Sequence, residues 1–482
     1  MLNTENENDM NHNNYKYYLS KIKSFIKDIS DSIKGTEADY TSISLRKALM
    51  LLSIPMVLEM SMESIFTIVD IYFVSKLGSD ATSVVGLTES MLTIVYAFGI
   101  GFAMSATAIV SRRIGEKEPR KAANAAYQAL LVAGVTTILI SIIGIFFSDN
   151  LLRLMGANSE VIAKHGVYTK LMLGGNFTIM FLFILNGIYR GAGDAAIAFK
   201  VLLFSNTINI ILDPLLIFGI GPFPELGVAG AAVATNIGRG LGVVFQLYTL
   251  FYGSSRIQLF LKDLRVDIEQ IVAFLKLSSS GIFQFLIGTS SWIVMVRIIS
   301  EFGSIAVAGY TIGIRIIIFA LLPSAGLSNA AATLVGQNLG AGKPHQAEKS
   351  VWSTGIANAI FLGTIGLILI VFPESTIRLL VQQDDVVAKS VECLRIISIG
   401  FIAYGFGMVL VNSLNGAGDT LTPMFINIFC FWLIEIPLAY LLAIKLGMQE
   451  KGVYYAIVIA ETAMTLIALF FFMRGKWKLK KV

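Results

Sequence analysis

The sequence predicts an all-α polytopic membrane protein, with twelve transmembrane helices in two parallel six-helix repeats that form a V-shaped bundle. Three observations carry that prediction. Of the 482 residues 55% are hydrophobic and only 14% charged, at a mean hydropathy of +0.73, whereas a soluble domain is typically about a quarter charged. The apolar residues gather into twelve segments, each able to cross a bilayer, which takes ~20 helical residues: roughly 49–74, 84–110, 123–146, 166–188, 196–219, 227–252, 271–300, 304–330, 351–372, 391–413, 424–446 and 452–473. Finally, the chain repeats itself at one shift. Gly191-Ala192-Gly193-Asp194 returns as Gly416-Ala417-Gly418-Asp419, 225 residues on. The same shift carries Gly115 and Pro119 onto Gly340 and Pro344, Gly78-Ser79 onto Gly303-Ser304, and Gly227-Val228 onto Gly452-Val453. Each copy holds six segments, an even number, so both have the same orientation. They are related by an axis along the membrane normal, as in many secondary transporters.

Residues 1–45 form an N-terminal tail. Its first fifteen residues are polar and Asn-rich, a composition that favours disorder. From Leu19 to Ile33, Leu19, Ile22, Phe25, Ile26, Ile29 and Ile33 recur at helical spacing among Lys16, Lys21, Lys23 and Lys27. That stretch reads either as an amphipathic helix on an anionic leaflet or as a loosely ordered tail. It has no apolar core of the kind a cleavable signal needs. The N-lobe spans 46–252, a polar linker 253–270, the C-lobe 271–474, and a basic tail 475–482. Lys and Arg set the orientation: 18 fall on the side of the termini, Arg190 and Lys200 among them, against 8 on the other. Both termini are therefore expected in the cytoplasm, and a bacterial inner membrane is the expected location.

Other function classes find no support. Cys393, Cys430, His12, His165 and His345 fall in no metal-ligand spacing. No phosphate-binding or dinucleotide motif occurs, so no nucleotide partner is expected. The repeated loops RRIGEKEPRKA and GQNLGAGKPHQA, and the G-A-G-D turns, read as tight turns shaped by Gly and Pro. The net charge of +5 tracks topology and gives no reason to expect nucleic acid. No nucleophile–base pair suggests an enzyme, and no filter-like loop suggests a channel. The expected partners are small organic compounds and membrane lipid, with no cofactor beyond a coupling ion, and the chain is expected to act as a monomer.

The chemistry concentrates in the first repeat. Glu59, Glu63 and Asp70 of segment 1 lie within ~40° of one another on a helix. Intramembrane carboxylates face the protein interior or a wet cavity, where they mark an ion or substrate path or hold helices together. Asn206, Asn209 and Asp213 share one face of segment 5, and Ala231 and Thr235 lie one turn apart in segment 6. Asp70, Asp213 and Thr235 all fall within about two turns of the outer end of their segments, so they can form one cluster. Two carboxylates brought together in low dielectric cannot both stay ionised uncompensated. They share a proton or chelate a cation, and neutral oxygens beside them suit Na⁺. Arg239, the one intramembrane base read in this lobe, is a competing partner for an acid. The second repeat has Met295 in the place of Asp70. Its polar residues Arg297, Arg315, Arg395, Glu435 and Glu461 suggest structural ion pairs or cavity lining.

Pro55…Asp70…Lys76-Leu77-Gly78, R-G-A-G-D, L-D-P and G-V-A-G-A-A-V-A-T, in this order over 46–474, resemble the multidrug and toxic compound extrusion (MATE) family. The resemblance implies that Asp70, Asn209, Asp213 and Thr235 form an N-lobe proton or Na⁺ site. It also implies that Ala231 supplies a backbone carbonyl and that Tyr168 stands nearby. The implied activity is antiport, in which inward H⁺ or Na⁺ drives export of organic, often cationic, compounds. Some members carry acids in segments 7 and 10. Here 277–300 has none and segment 10 has only Glu392 at its outer edge, so coupling is expected through the N-lobe. The alternative is a flippase for a lipid or lipid-linked saccharide on the related fold.

Overall fold

The computed structural model describes residues 26–35, 38–253, 255–260, 262 and 264–482. The expected amphipathic helix begins outside the described residues, and its described part, 26–34, is helical. Twelve spans follow. In the N-lobe these are α1 (Leu45–Ser75), α2 (Ser79–Gly115), α3 (Pro119–Leu154), α4 (Ser159–Ala192), α5 (Ala195–Phe218) and α6 (Val228–Tyr252). The C-lobe contributes α7 (Ile268–Ser300), α8 (Ser304–Gly340), α9 (Pro344–Val371), α10 (Asp384–Ser398 with Phe401–Gly416), α11 (Leu421–Lys445) and α12 (Glu450–Met473). Among the described residues there is no strand.

The repeat is visible in the irregularities as well as in the spans. Helix α4 is interrupted at Gly175-Asn176. Its counterpart α10 is interrupted at Ile399-Gly400, with a bend of 57°, and Gly400 lies 225 residues after Gly175. Lipid-facing surfaces are apolar, as on α3, where Val135, Ile138, Leu139, Ile142 and Phe146 are exposed. With hydrocarbon on both sides of the comparison, helices associate through close packing, so small residues occupy the crossings.

The lobes meet where α1 packs on α8 and α2 on α7, and α2 and α8 pack on each other. These seams are repeat-related. A Cβ on Gly101 of α2 would stand 2.8 Å from the Ile282 nitrogen of α7, and one on Gly326 of α8 would stand 2.6 Å from the Met56 carbonyl of α1. Gly326 is the 225-shifted counterpart of Gly101. Tyr40, Leu51, Leu52 and Met56 form one buried cluster with Ala330 and Leu334 across the α1–α8 seam.

Tyr40 and Thr41, before α1, and residues 478–482, after α12, brace this seam on the same side of the bundle. The Tyr40 hydroxyl donates to the Gly193 carbonyl at 3.0 Å, and Lys343 Nζ donates to the Thr41 carbonyl at 2.9 Å. Arg112 and Arg113, at the end of α2, donate to the carbonyls of Lys480 and Val482. Two tail lysines pair with C-lobe acids, Lys478 with Glu348 at 2.7 Å and Lys480 with Asp419 at 3.1 Å.

Candidate functional site

Helices α5 and α6 bring three of the predicted residues into direct contact. Asn209, Asp213 and Thr235 are buried, with Asp213 fully enclosed. The Asn209 amide lies between the other two side chains, 3.3 Å from an oxygen of each. In the orientation that satisfies both neighbours, its nitrogen donates to Asp213 Oδ2 at 3.0 Å. Its oxygen then accepts from Thr235 Oγ1 at 3.3 Å and from the Thr235 backbone N–H at 3.1 Å. In a regular helix that N–H serves the Ala231 carbonyl one turn earlier, so Asn209 shares a donor with the predicted Ala231 oxygen. Pro214 has no N–H and leaves the carbonyl of Ile210, four residues before it, without its helical donor.

Asp70, half-buried on α1, lies within electrostatic reach of Asp213. Tyr168, buried on α4, faces Asp70 and a further acid, Glu89 of α2. Glu89, which sequence reasoning missed, is in reach of Asp70, Glu63 and Arg239 and is open on its other side. No helical stripe or repeat match had distinguished it, and only the packing of α2 beside α4 and α1 brings it in. Asn206 takes a different part. It is buried and donates to the Met62 carbonyl at 3.2 Å, tying α5 to α1.

Glu59 and Glu63 line a separate cavity of ≈ 360 Å³ between the lobes, together with Asn186, Asn329 and Asn412. Each acid meets an arginine in this cavity: Glu59 Oε1 lies 3.4 Å from Arg190, and Glu63 Oε1 lies 3.4 Å from Arg239. The acidic stripe of α1 therefore divides, two residues toward the inter-lobe cavity and Asp70 toward α5. One correction concerns Arg190. Read from sequence as an orienting charge in a connecting loop, it is buried in the last turn of α4, and it lines the inter-lobe cavity together with Arg239. Arg239 also stacks over the Phe66 ring at 5.2 Å.

In the C-lobe, Glu435 is buried in a second cavity. Arg297 and Arg315, expected to line a cavity, line neither of the two. Arg297 is largely exposed at the end of α7 and pairs with Glu301 at 2.9 Å, and Arg315 is exposed on α8. A basic residue near a helix end reaches water more cheaply than it is buried.

The MatE family profile matches this chain twice, over 55–215 and 281–441, once in each repeat. Among curated proteins, "Probable multidrug resistance protein NorM" of Thermotoga maritima is 26% identical over 439 residues, covering 91% of this chain and 94% of the relative. "Multidrug export protein MepA" of Staphylococcus aureus is 25% identical, covering 88% and 92%. A "FAD transporter" of Shewanella oneidensis is 25% identical, covering 78% and 83%. A solved MATE structure in complex with MaL6 superposes with a TM-score of 0.87 over 93% of this chain and 100% of that one, at 24% identity. Twelve spans, the repeat-related lobes and a family profile matched in both halves have one reading: the chain is a membrane protein of the MatE family of transporters.

Proposed function

We propose that the protein is a secondary active antiporter that exports organic, cationic or amphipathic compounds in exchange for inward H⁺ or Na⁺. The observation that carries this reading is Asn209 bridging Asp213 and Thr235 within reach of Asp70. Two carboxylates there are accompanied by an amide and a hydroxyl, and among the described residues no arginine forms an ion pair with either acid. A proton neutralises such a pair by binding one acid, and Na⁺ does so by taking several oxygens at once. The two ions compete for one place. Filling it removes the repulsion between α1 and α5, which changes how α1 packs, and α1 carries Glu59 and Glu63 into the inter-lobe cavity. The names of the exporting relatives support the same reading, with both termini in the cytoplasm of a bacterium.

A second reading, transport of an anionic or lipid-linked substrate, draws on Arg190 and Arg239 in the inter-lobe cavity and on the FAD-transporting relative. Flux in proteoliposomes separates the two. Efflux of an organic cation driven by an imposed Na⁺ or proton gradient, with apparent Na⁺ affinity falling as pH drops, is expected. Gradient-independent movement, or uptake of anionic compounds alone, overturns the first reading. If Na⁺ changes nothing at two pH values while a proton gradient drives full transport, the cluster is a proton site only.

A further inference from the structure

The tail that follows α12 touches both lobes, in two different ways. Its hold on the C-lobe is made by side chains. Trp477, 1% exposed, stacks on Phe472 of α12 with ring centroids 5.0 Å apart. Lys478 pairs with Glu348 of α9, and Lys480 pairs with Asp419 of the second G-A-G-D turn. Val482 packs over Gly418 in that turn, where a Cβ would stand 2.3 Å from its Cγ2. The N-lobe reaches the tail differently. Among the described residues its hydrogen bonds to the tail are those of Arg112 and Arg113, both donated to backbone oxygens, of Lys480 and Val482.

The rest of that boundary is hollow. A cavity of ≈ 320 Å³ lies between them, with Ile109, Arg113 and Gln128 of the N-lobe on one side and residues 480–482 on the other. Little packing therefore reinforces the two arginines. The first repeat uses its corresponding segment on its own lobe as well. Arg256, 225 residues before Lys481, donates its backbone N–H to Asp194, the counterpart of Asp419, at 2.9 Å. The segment after the sixth helix thus belongs to its own lobe in both repeats, and the arginine bonds are what the tail adds across the seam.

A transporter that moves a compound between two faces must open its binding space to each in turn. On the side of the termini that means parting the ends of α2 and α8, which pack on each other, and the tail lies across that line. A guanidinium released from a peptide oxygen bonds to water instead, so each of these hydrogen bonds has a modest net worth and can be remade. The side-chain contacts on the C-lobe have no reason to break. We propose that residues 478–482 are a clasp that keeps the lobes joined on the side of the termini. When the lobes part there, the tail stays on the C-lobe and Arg112 and Arg113 let go. The inference rests on the chain being a transporter with two moving lobes, and it is independent of which ion or compound is carried.

The test is double electron–electron resonance on the purified full chain in lipid nanodiscs, with spin labels on cysteines placed at Arg120 and His345. Both positions are exposed near the starts of α3 and α9, on the side of the termini, and native Cys393 and Cys430 are buried. Deleting residues 478–482 leaves the Trp477 anchor in place and should add a longer-distance population. The ratio of parted to joined lobes should rise by at least about tenfold, the effect of losing one hydrogen bond to a charged group. Arg112→Met with Arg113→Met keeps the tail and should do the same, and it carries the test alone should the deletion fail to fold. Lys481→Ala retains the backbone oxygens and should reproduce the wild-type distances. The proposal is overturned if the arginine pair variant gives the wild-type distribution. That holds even where the deletion adds the longer distance, since the tail would then act through Glu348 and Asp419. No gradient or substrate is present, so lobe separation is read whether or not antiport is found.

Discussion

Gly340 of α8 rests directly on the Arg112 carbonyl of α2: a Cβ at that glycine would stand 2.1 Å from the oxygen. The relation is reciprocal. A Cβ on Gly115 would stand 2.0 Å from the Gln337 carbonyl, and each residue of one contact is the 225-shifted counterpart of a residue in the other. The pseudo-two-fold axis therefore passes between α2 and α8 where they converge on the side of the termini. No side chain longer than hydrogen fits at either glycine without parting the helices.

Gly340→Leu should therefore hold the lobes apart on that side. Overpacking of this kind costs ~1–3 kcal/mol, enough to shift a balance between two lobe arrangements. A reporter cysteine at Ala325, which lines the inter-lobe cavity, should gain labelling by a membrane-impermeant thiol reagent applied from the side of the termini. Native Cys393 and Cys430 are both buried. Unchanged labelling, with the protein inserted, would show that the α2–α8 contact does not seal the cavity.

Asp70→Asn should abolish gradient-driven efflux while leaving expression and insertion intact, because it removes the charge and keeps the shape. Met295→Leu, at the repeat-equivalent position in the packed C-lobe core, should be nearly silent as a volume-conserving swap. Full active transport by Asp70→Asn in reconstituted vesicles would assign Asp70 a structural part only.

Thr235→Val separates the two ions. It deletes the hydroxyl beside Asn209 and adds no titrating group. Dependence of efflux on Na⁺ concentration should weaken much more than dependence on the proton gradient. An equal loss of both would indicate that Thr235 acts by holding Asn209 in place.

Glu59 and Arg190 form a buried ion pair, with side-chain exposures of 1% and 10%. Breaking such a pair by removing one partner costs about 3–5 kcal/mol, since the remaining charge is left uncompensated. Arg190→Met should thus lower the thermal midpoint in detergent sharply, and adding Glu59→Gln should recover much of the loss. If the double variant is no more stable than Arg190→Met, the pair is not what holds α1 against α4.

The parts of this molecule legible in the sequence are those with a period. Apolar runs located all twelve spans, and the 225-residue shift fixed the relative orientation of the lobes. Asn209 and Asp213, four residues apart, had to share a helix face, and depth along the helix brought Thr235 to them. What stayed hidden depends on where helices bend or how they pack. Arg190 looks like a loop charge beside R-G-A-G-D, yet the helix continues through it and Glu59 on another helix compensates it. Glu89 follows no stripe. Glu435 was recognisable as an intramembrane acid, but the π-winding of α11 over Ile428–Glu435, which brings it into one cavity with Phe401 and Tyr404, leaves no mark in the order of residues.

The tail that Arg112 and Arg113 hold follows all twelve helices in the chain. A ribosome finishes the N-lobe, with both guanidinium groups at the end of α2, long before it makes residues 478–482. Until the second repeat is inserted and the tail has folded back, those two donors lack the carbonyls they hold in the finished molecule, and Glu348 and Asp419 lack their lysines. Arg113 meanwhile has Glu116 within its own lobe, 2.8 Å away, so Arg112, Glu348 and Asp419 are the groups whose surroundings the tail changes most. The contacts of residues 478–482 thus tie the end of α2 to the C-lobe only once both repeats have been made.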